Sequence, residues 1–500
     1  MLGGEPDEGT DMQRLTGMDA AFVHMETPDV PLNVMAIVML DPSTAPGGWS
    51  FEAVRRTIAD RLHLVPPFRR RLVEAPLALA RPVWIEDPDV DLDAHIHHVA
   101  VPAPHTDREL AVFVGDIAGV LLDRRRPLWD MWVIEGLPNG RVALVTKIHH
   151  SAVDGVVGAN LMMRLFDLEA DGTVAEPGEP TEAGTREPTA RVIDIAADAV
   201  GQVALRPLRA AGIVVKAGRR LLAAAEAQRR VGTDGGPPAL PFTAPRTPFN
   251  RAVTARRAVA FTRVPLDEVK RVGQAFGATV NDVMLAACTM SLRRWLAAHG
   301  GLPDRDLVAT LPVSVAPAAP DAPPSANEVS AMMVSLPVRE GDPVAQLLAV
   351  RSAAASGKRM HDALGPELIS GLAGVAPPMV LWLLSTVYSE LDLADHHPPV
   401  HNLVISNTRG PPFSLFFAGA RVEAVYPIGP VLEGAALNIS VISYAGDIDV
   451  CAVADRDLVP DLWDIADGIA EAVTALGAAV GRTGDLRRRH GPAARPGAGR

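Results

Sequence analysis

Apolar and polar positions alternate in blocks along the chain, and the blocks predict an ordered series of elements. Leu32 to Leu40, LNVMAIVML, reads as a strand. Phe51 to Glu74 reads as a helix that Pro66-Pro67 closes, and Val83 to Pro102 as a turn and strand. Asp107 to Asp123 has helical apolar spacing. Trp129 to His150 reads as a hairpin turning at Pro138-Asn139-Gly140, and Asp154 to Leu168 is again helical.

From Glu169 to Pro188 the chain turns acidic and rich in proline and glycine, the composition of a flexible connector. A basic helical segment follows, then a loop-like stretch that ends near Asn250. Beyond Arg251 the pattern returns, with a helix in Thr279 to Gly300. Strands are predicted in Leu307 to Val315, His401 to Thr408 and Ala436 to Asp455. The expected organisation is a disordered start (1–11), a first lobe (12–168), a connector (169–250), a second lobe (251–485) and a basic disordered tail (486–500). The fold class is α/β (α+β), two lobes with mixed sheets.

Composition narrows the picture. Five hundred residues exceed one ordinary core, and 48% hydrophobic with 21% charged residues excludes wholesale disorder. A net charge of −12 argues against a nucleic-acid partner. The two cysteines, Cys288 and Cys451, match no metal-ligand spacing and form no disulfide framework, so a reducing cytosol is expected. The acidic, glycine-rich start lacks a secretory signal pattern. The longest uncharged run, Leu368 to Ser389, reaches bilayer-spanning length but is broken by Pro377-Pro378; it reads as a buried or interfacial helix pair.

Candidate chemistry concentrates in KIHHSAVDG, Lys147 to Gly155. Neighbouring side chains on a strand point to opposite faces, so His149 and His150 are not expected to share a metal ion. One of them suffices as a base, because a neutral imidazole with a pKa of about 6.5 can take a proton from a hydroxyl near pH 7. Asp154 opens the following helix, where it can cap exposed N–H groups or pair with an arginine. Gly155 gives backbone or substrate room for close approach. A second pair, His97-His98, lacks the following Asp-Gly and reads as surface strand chemistry.

HHxxxDG, here His149 to Gly155, resembles the signature of the CoA-dependent acyltransferase superfamily. LTGMDAAFVHMETPDVPLNV, RPLWDMWVIEGL, GATVNDVMLAA, SNTRGP and LNISVISYAGDIDVCAVADRDLVPD run in order between Leu15 and about Leu476. With them the chain is similar to the bacterial wax ester synthase/acyl-CoA:diacylglycerol acyltransferase family, most of all its actinobacterial triacylglycerol synthases. The resemblance implies two lobes of the chloramphenicol-acetyltransferase type, with a tunnel between them and the active histidine at the junction. It makes His150 the general base and His149 its supporter. The acceptor oxygen would attack the acyl-CoA thioester directly, without a cofactor or metal.

Asp154 would give structural support through an arginine, for which Arg69 is the candidate. Gly155, Asn281 and Asp282 would meet substrate, although Asn281-Asp282 also suits a helix N-terminus. The block Pro127 to Trp129 would shape structure rather than chemistry. SANEV, with Ala326-Asn327, and Thr408-Arg409 in SNTRGP depart from the common family pattern and bear on acceptor preference.

The implied substrates are acyl-CoA with diacylglycerol or a long-chain alcohol. Such lipids call for an interfacial surface, and two stretches are candidates. One is Ala204 to Arg230, with seven basic residues against Glu226; the other is Leu368 to Ser389, which could instead wall the acyl tunnel. The expected location is cytoplasmic, peripheral to the inner membrane or lipid droplets. The same base could serve another lipid or polyketide hydroxyl, and the fold could persist in a catalytically silent lipid-binding protein. A peptide-synthetase condensation domain is disfavoured because no carrier-domain region accompanies it.

Overall fold

The computed structural model describes residues 13–75, 78, 81–153, 164–172, 239–314, 329–364 and 378–489. The first half comprises β1 (Gln13–Arg14), α1 (Gly17–Met25), β2 (Asn33–Asp41), α2 (Phe51–Arg61), β3 (Arg70–Val73), β4 (Val83–Glu86), β5 (Ile96–Ala100), α3 (Asp107–Ala118), β6 (Trp129–Glu135) and β7 (Val142–His149). The second comprises β8 (Arg257–Pro265), α4 (Leu266–Phe276), α5 (Val280–Ala298), β9 (Leu307–Ser314), β10 (Val329–Leu336), α6 (Pro343–Leu364), α7 (Pro378–Glu390), β11 (Leu403–Arg409), β12 (Phe416–Phe417), β13 (Ala420–Ile428), β14 (Leu437–Tyr444), β15 (Asp447–Asp455) and α8 (Leu462–Arg489).

Two six-stranded mixed sheets organise these elements, in the orders β12-β13-β2-β7-β6-β5 and β10-β9-β11-β14-β15-β8; β1, β4 and β3 form a small third sheet. The first sheet is antiparallel except for β5 beside β6. In the second, β11 runs parallel to both β9 and β14.

The sheets explain the near-continuous apolar runs. In β2, Met35, Ile37 and Met39 join the large core cluster, whereas Val38 and Leu40 join the second cluster on the opposite face. β7 does the same, with Ala143 and Val145 on one side and Val142, Leu144 and Ile148 on the other. A strand buried on both faces cannot show the polar alternation of a half-exposed one. The second sheet is covered by α5 and α8, which pack together, and β13 packs against β14 and β15.

The halves interlock. Residues 416–428 lie in the stretch expected to form the second lobe, yet β13 pairs antiparallel with β2 and extends the first sheet. The lobe boundary at 251 is therefore not a sheet boundary. α3 also docks directly on the start of β8: a Cβ on Gly119 would lie 2.0 Å from the Ala255 carbonyl oxygen. Arg257, almost fully buried, donates to the Asp29 carbonyl at 2.6 Å.

Three local expectations change. The helix from Phe51 ends at Arg61 rather than at Pro66-Pro67, and after short 3-10 turns Arg70–Val73 pairs with β4 as a strand. α8 runs to Arg489, into the stretch expected to be a disordered tail. Of the uncharged run from Leu368, only the part from Pro378 is described, as the single helix α7. Most of the connector, including 204–230, lies outside the described residues, as do the start and Ala326-Asn327. No single described helix is long and apolar enough to cross a membrane. The pair α4 and α5 meets that test only together, bent by 99°, and α5 is largely buried core.

Candidate active site

β7 delivers both histidines to one end of the first sheet. His149 is its last residue and continues the odd-numbered face of Lys147, while His150 sits in the turn that follows. Backbone bonds fix both: His149 N–H donates to Leu128 O at 3.0 Å, and His150 N–H to Leu32 O at 2.8 Å. The His150 ring stacks on Phe22 of α1, with centroids 4.1 Å apart and planes at 19°. His150 is partly exposed, whereas His149 is 1% exposed.

The two rings have different company. His149 Nδ1 accepts the Ser151 N–H at 3.1 Å and lies 2.7 Å from Ser151 Oγ. An N–H can only donate, so Nδ1 is the acceptor and the ring proton belongs on Nε2. Nε2 faces Glu26 Oε1 at 3.5 Å.

Glu26 is the centre of a buried network that joins distant segments. Its Oε1 accepts Leu32 N–H at 3.0 Å, and its Oε2 accepts Arg124 at 2.9 Å. Arg124 also donates to Val23 O at 2.8 Å and to Glu74 at 2.9 Å. Burial pushes the Glu26 carboxyl up, but the His149 ring and the Arg124 guanidinium outweigh it and hold it at about 2. Lys147, fully buried, is pulled down to about 8 by burial, against the Asp130 and Glu26 carboxylates that raise it. Its ammonium donates to the Ile117 and Val120 carbonyls at the end of α3.

Asn33 lies directly across from His149 in the β2–β7 ladder and is 4% exposed. Among the described residues, neither its Oδ1 nor its Nδ2 has a hydrogen-bond partner. Most buried amides do have one, so this is a polar group available beside the histidine pair.

Of the other residues singled out in the sequence, Asp154 and Gly155 lie outside the described residues. Arg69 forms an ion pair with Glu86. Asp282 turns back on its own helix: Thr279 caps α5, and Asp282 Oδ2 accepts the Thr279 N–H at 2.9 Å and its hydroxyl at 2.8 Å. Asn281 instead accepts a 3.0 Å bond from Asn407 of β11, joining the GATVND and SNTRGP blocks. Trp129 is buried between Phe68 and His95, with ring centroids 4.2 and 4.4 Å away, and its Nε1 donates to Phe68 O. His97 and His98 sit on β5, the latter 3.0 Å from Glu135. Sequence reasoning missed Phe22, Glu26, Asn33 and Arg124. The first three lie in or beside the block at Leu15 to Val34, but nothing local marks them as neighbours of the histidines.

With this geometry in hand, the chain can be set beside known proteins. It matches the wax ester synthase/diacylglycerol acyltransferase catalytic domain over residues 15–284, and the corresponding C-terminal domain over residues 325–477. It is 39% identical over 470 residues to the Putative diacylglycerol O-acyltransferase Rv1760 of Mycobacterium tuberculosis, covering 93% of this chain and 90% of that protein. The similarly named Rv3087 of the same organism is 34% identical over 472 residues, covering 94% and 98%. Among solved structures, the wax ester synthase/diacylglycerol acyltransferase from Marinobacter aquaeolei VT8 aligns with a TM-score of 0.65 and 26% identity, over 94% of this chain and 100% of that one. The first condensation domain of the calcium-dependent antibiotic synthetase shares the fold, with a TM-score of 0.53 and 17% identity over 94% and 97%. Two matched domains, full-length relatives and a shared fold lead to one conclusion: the chain belongs to the wax ester synthase/diacylglycerol acyltransferase family.

Proposed function

We propose that the chain is an acyl-CoA-dependent O-acyltransferase that moves a long-chain acyl group to the hydroxyl of diacylglycerol, giving triacylglycerol, and that also accepts long-chain alcohols to give wax ester. Family membership and the naming of its M. tuberculosis relatives support the first activity. The observation that carries the chemistry is the placement of His150, partly exposed at a strand end and stacked on Phe22.

In the proposed reaction, His150 takes the proton from the acceptor hydroxyl as its oxygen attacks the thioester carbonyl carbon. The tetrahedral intermediate collapses, the C–S bond breaks, and the leaving thiolate takes the proton from the imidazolium to give CoA thiol. Acyl-CoA is a substrate, and these steps use no cofactor, metal or covalent enzyme intermediate. His149 supports the turn, while Asp154 organises it with Arg69. Gly155, Asn281 and Asp282 line the approach of substrate in a tunnel between the lobes.

The acceptor dissolves in lipid, so the enzyme works at the cytoplasmic face of the membrane or on lipid droplets as a peripheral protein. α7 supports this contact. Met379, Val380, Trp382, Leu383, Leu384 and Val387 are all exposed, Leu384 at 61%. Its polar side chains instead turn inward, Ser385 Oγ to His24 O and Ser389 Oγ to Glu433. An apolar face of that kind marks an interaction surface, and α7 packs against α1, which carries Phe22.

Purified protein given radiolabelled oleoyl-CoA with diolein and hexadecanol together should release CoA and form labelled triacylglycerol and wax ester. Acyl-CoA binding without CoA release would mean a silent lipid-binding protein. Turnover only with other hydroxyls would move the acceptor.

A further inference from the structure

Glu26 touches the chain across from His150 and the side chain that precedes it. Across the ladder, Glu26 Oε1 accepts the Leu32 N–H at 3.0 Å, and the Leu32 carbonyl in turn accepts the His150 N–H at 2.8 Å. Along the chain, the same Oε1 lies 3.5 Å from His149 Nε2, and His149 Nδ1 accepts the N–H of Ser151. Leu32, which faces His150, is therefore bonded to that carboxylate, and the His149 ring, to which Ser151 is bonded, lies beside it.

That carboxylate is itself clamped. Arg124 donates to its Oε2 at 2.9 Å while holding Glu74 and the Val23 carbonyl, the latter inside α1. Phe22, the residue before Val23, stacks on the His150 ring. The Glu26–Arg124 pair thus links α1, which carries the ring's stacking partner, to Leu32 and to the His149 ring beside His150. The Glu26 side chain is 2% exposed, and that of Arg124 33%.

We propose that Glu26, clamped by Arg124, is a positioning residue that sets the orientation of the His150 imidazole toward the acceptor hydroxyl. The proposal rests on the reading of His150 as the general base. Its physical basis is the sensitivity of proton transfer to placement: a displacement of about 1 Å costs on the order of a hundredfold in rate. Glu26→Gln isolates the effect. The glutamine keeps an oxygen for the Leu32 N–H and leaves no void, but presents an NH2 where Arg124 also donates. Arg124→Lys is the second variant, keeping the positive charge while losing the fork that spans Glu26, Glu74 and Val23 O.

The experiment compares wild type, Glu26→Gln, Arg124→Lys and His150→Ala with oleoyl-CoA and diolein from pH 6 to 9, alongside thermal unfolding. Glu26→Gln should lower kcat about tenfold to a hundredfold, with KM for oleoyl-CoA changed less than about twofold, since binding groups are untouched. The loss should be the same factor at every pH, because the carboxylate is ionised throughout this range. Arg124→Lys should lower kcat in the same way, and it decides the matter if Glu26→Gln does not fold. A kcat near wild type in folded Glu26→Gln, with His150→Ala inactive, would overturn the positioning role alone. A raised KM at unchanged kcat, or a loss matching the unfolded fraction, would overturn it too. Full activity in His150→Ala would overturn the reading on which it rests.

Discussion

The Glu26 carboxylate that orders the histidine turn also ties stability to pH. Its ordinary value is 4.5 and its native value about 2, so the native state releases a proton that the unfolded chain still holds between those limits. The stabilisation is therefore complete above about pH 4.5 and is lost as pH falls toward 2, an effect on the order of 3 kcal/mol. Urea unfolding at pH 7 and pH 3 should show wild type losing more stability on acidification than Glu26→Gln does. An equal loss in both would mean that the native carboxyl titrates normally. At this scale the sequence revealed only what is local. His149, His150 and their spacing to Asp154 are contiguous, so a motif exposes them. Glu26 meets Arg124 across 98 residues, and Arg124 is one of three successive arginines. Its neighbours take unrelated partners, Arg125 bonding Asp123 and Arg126 bonding Ala94 O. Nothing in the order of residues says which arginine reaches Glu26.

Elements were legible where burial imposes a pattern. β2, the β6–β7 hairpin and the α5 helix follow directly from their apolar runs and their turn and capping residues. β3 did not, because RRLV carries no signal of its own and becomes a strand only by pairing with β4. α7 is the instructive case. Its sequence reads as part of a buried or interfacial helix pair; Ser385 and Ser389 are bonded inward, and six apolar side chains face out. If that face docks on lipid, the protein should float with phosphatidylcholine vesicles containing diolein, and Trp382 fluorescence should shift to the blue. Leu383→Glu with Leu384→Glu should abolish flotation and leave the fold intact, because both side chains are more than half exposed. Unchanged flotation in the double variant would place the contact elsewhere.

At the scale of the whole molecule, the two-lobe plan with mixed sheets was readable from ordered blocks, and the matched domains and related folds agree with it. The return of residues 416–428 to the first sheet was not readable. Strand order is decided by which edge is left open, and β2 offers its free edge to β13 rather than to a strand nearby in sequence. That exchange, with α3 seated on the chain before β8, makes the halves one packed unit around the histidine end of β7. On the proposed mechanism, this packing presents the His150 imidazole to an acceptor hydroxyl. The most direct test is the rate of triacylglycerol formation from oleoyl-CoA and diolein by His150→Ala, with folding verified by circular dichroism. A general base at His150 predicts a folded protein whose kcat is lower by about a hundredfold or more; a folded variant that turns over at the wild-type rate would contradict that role.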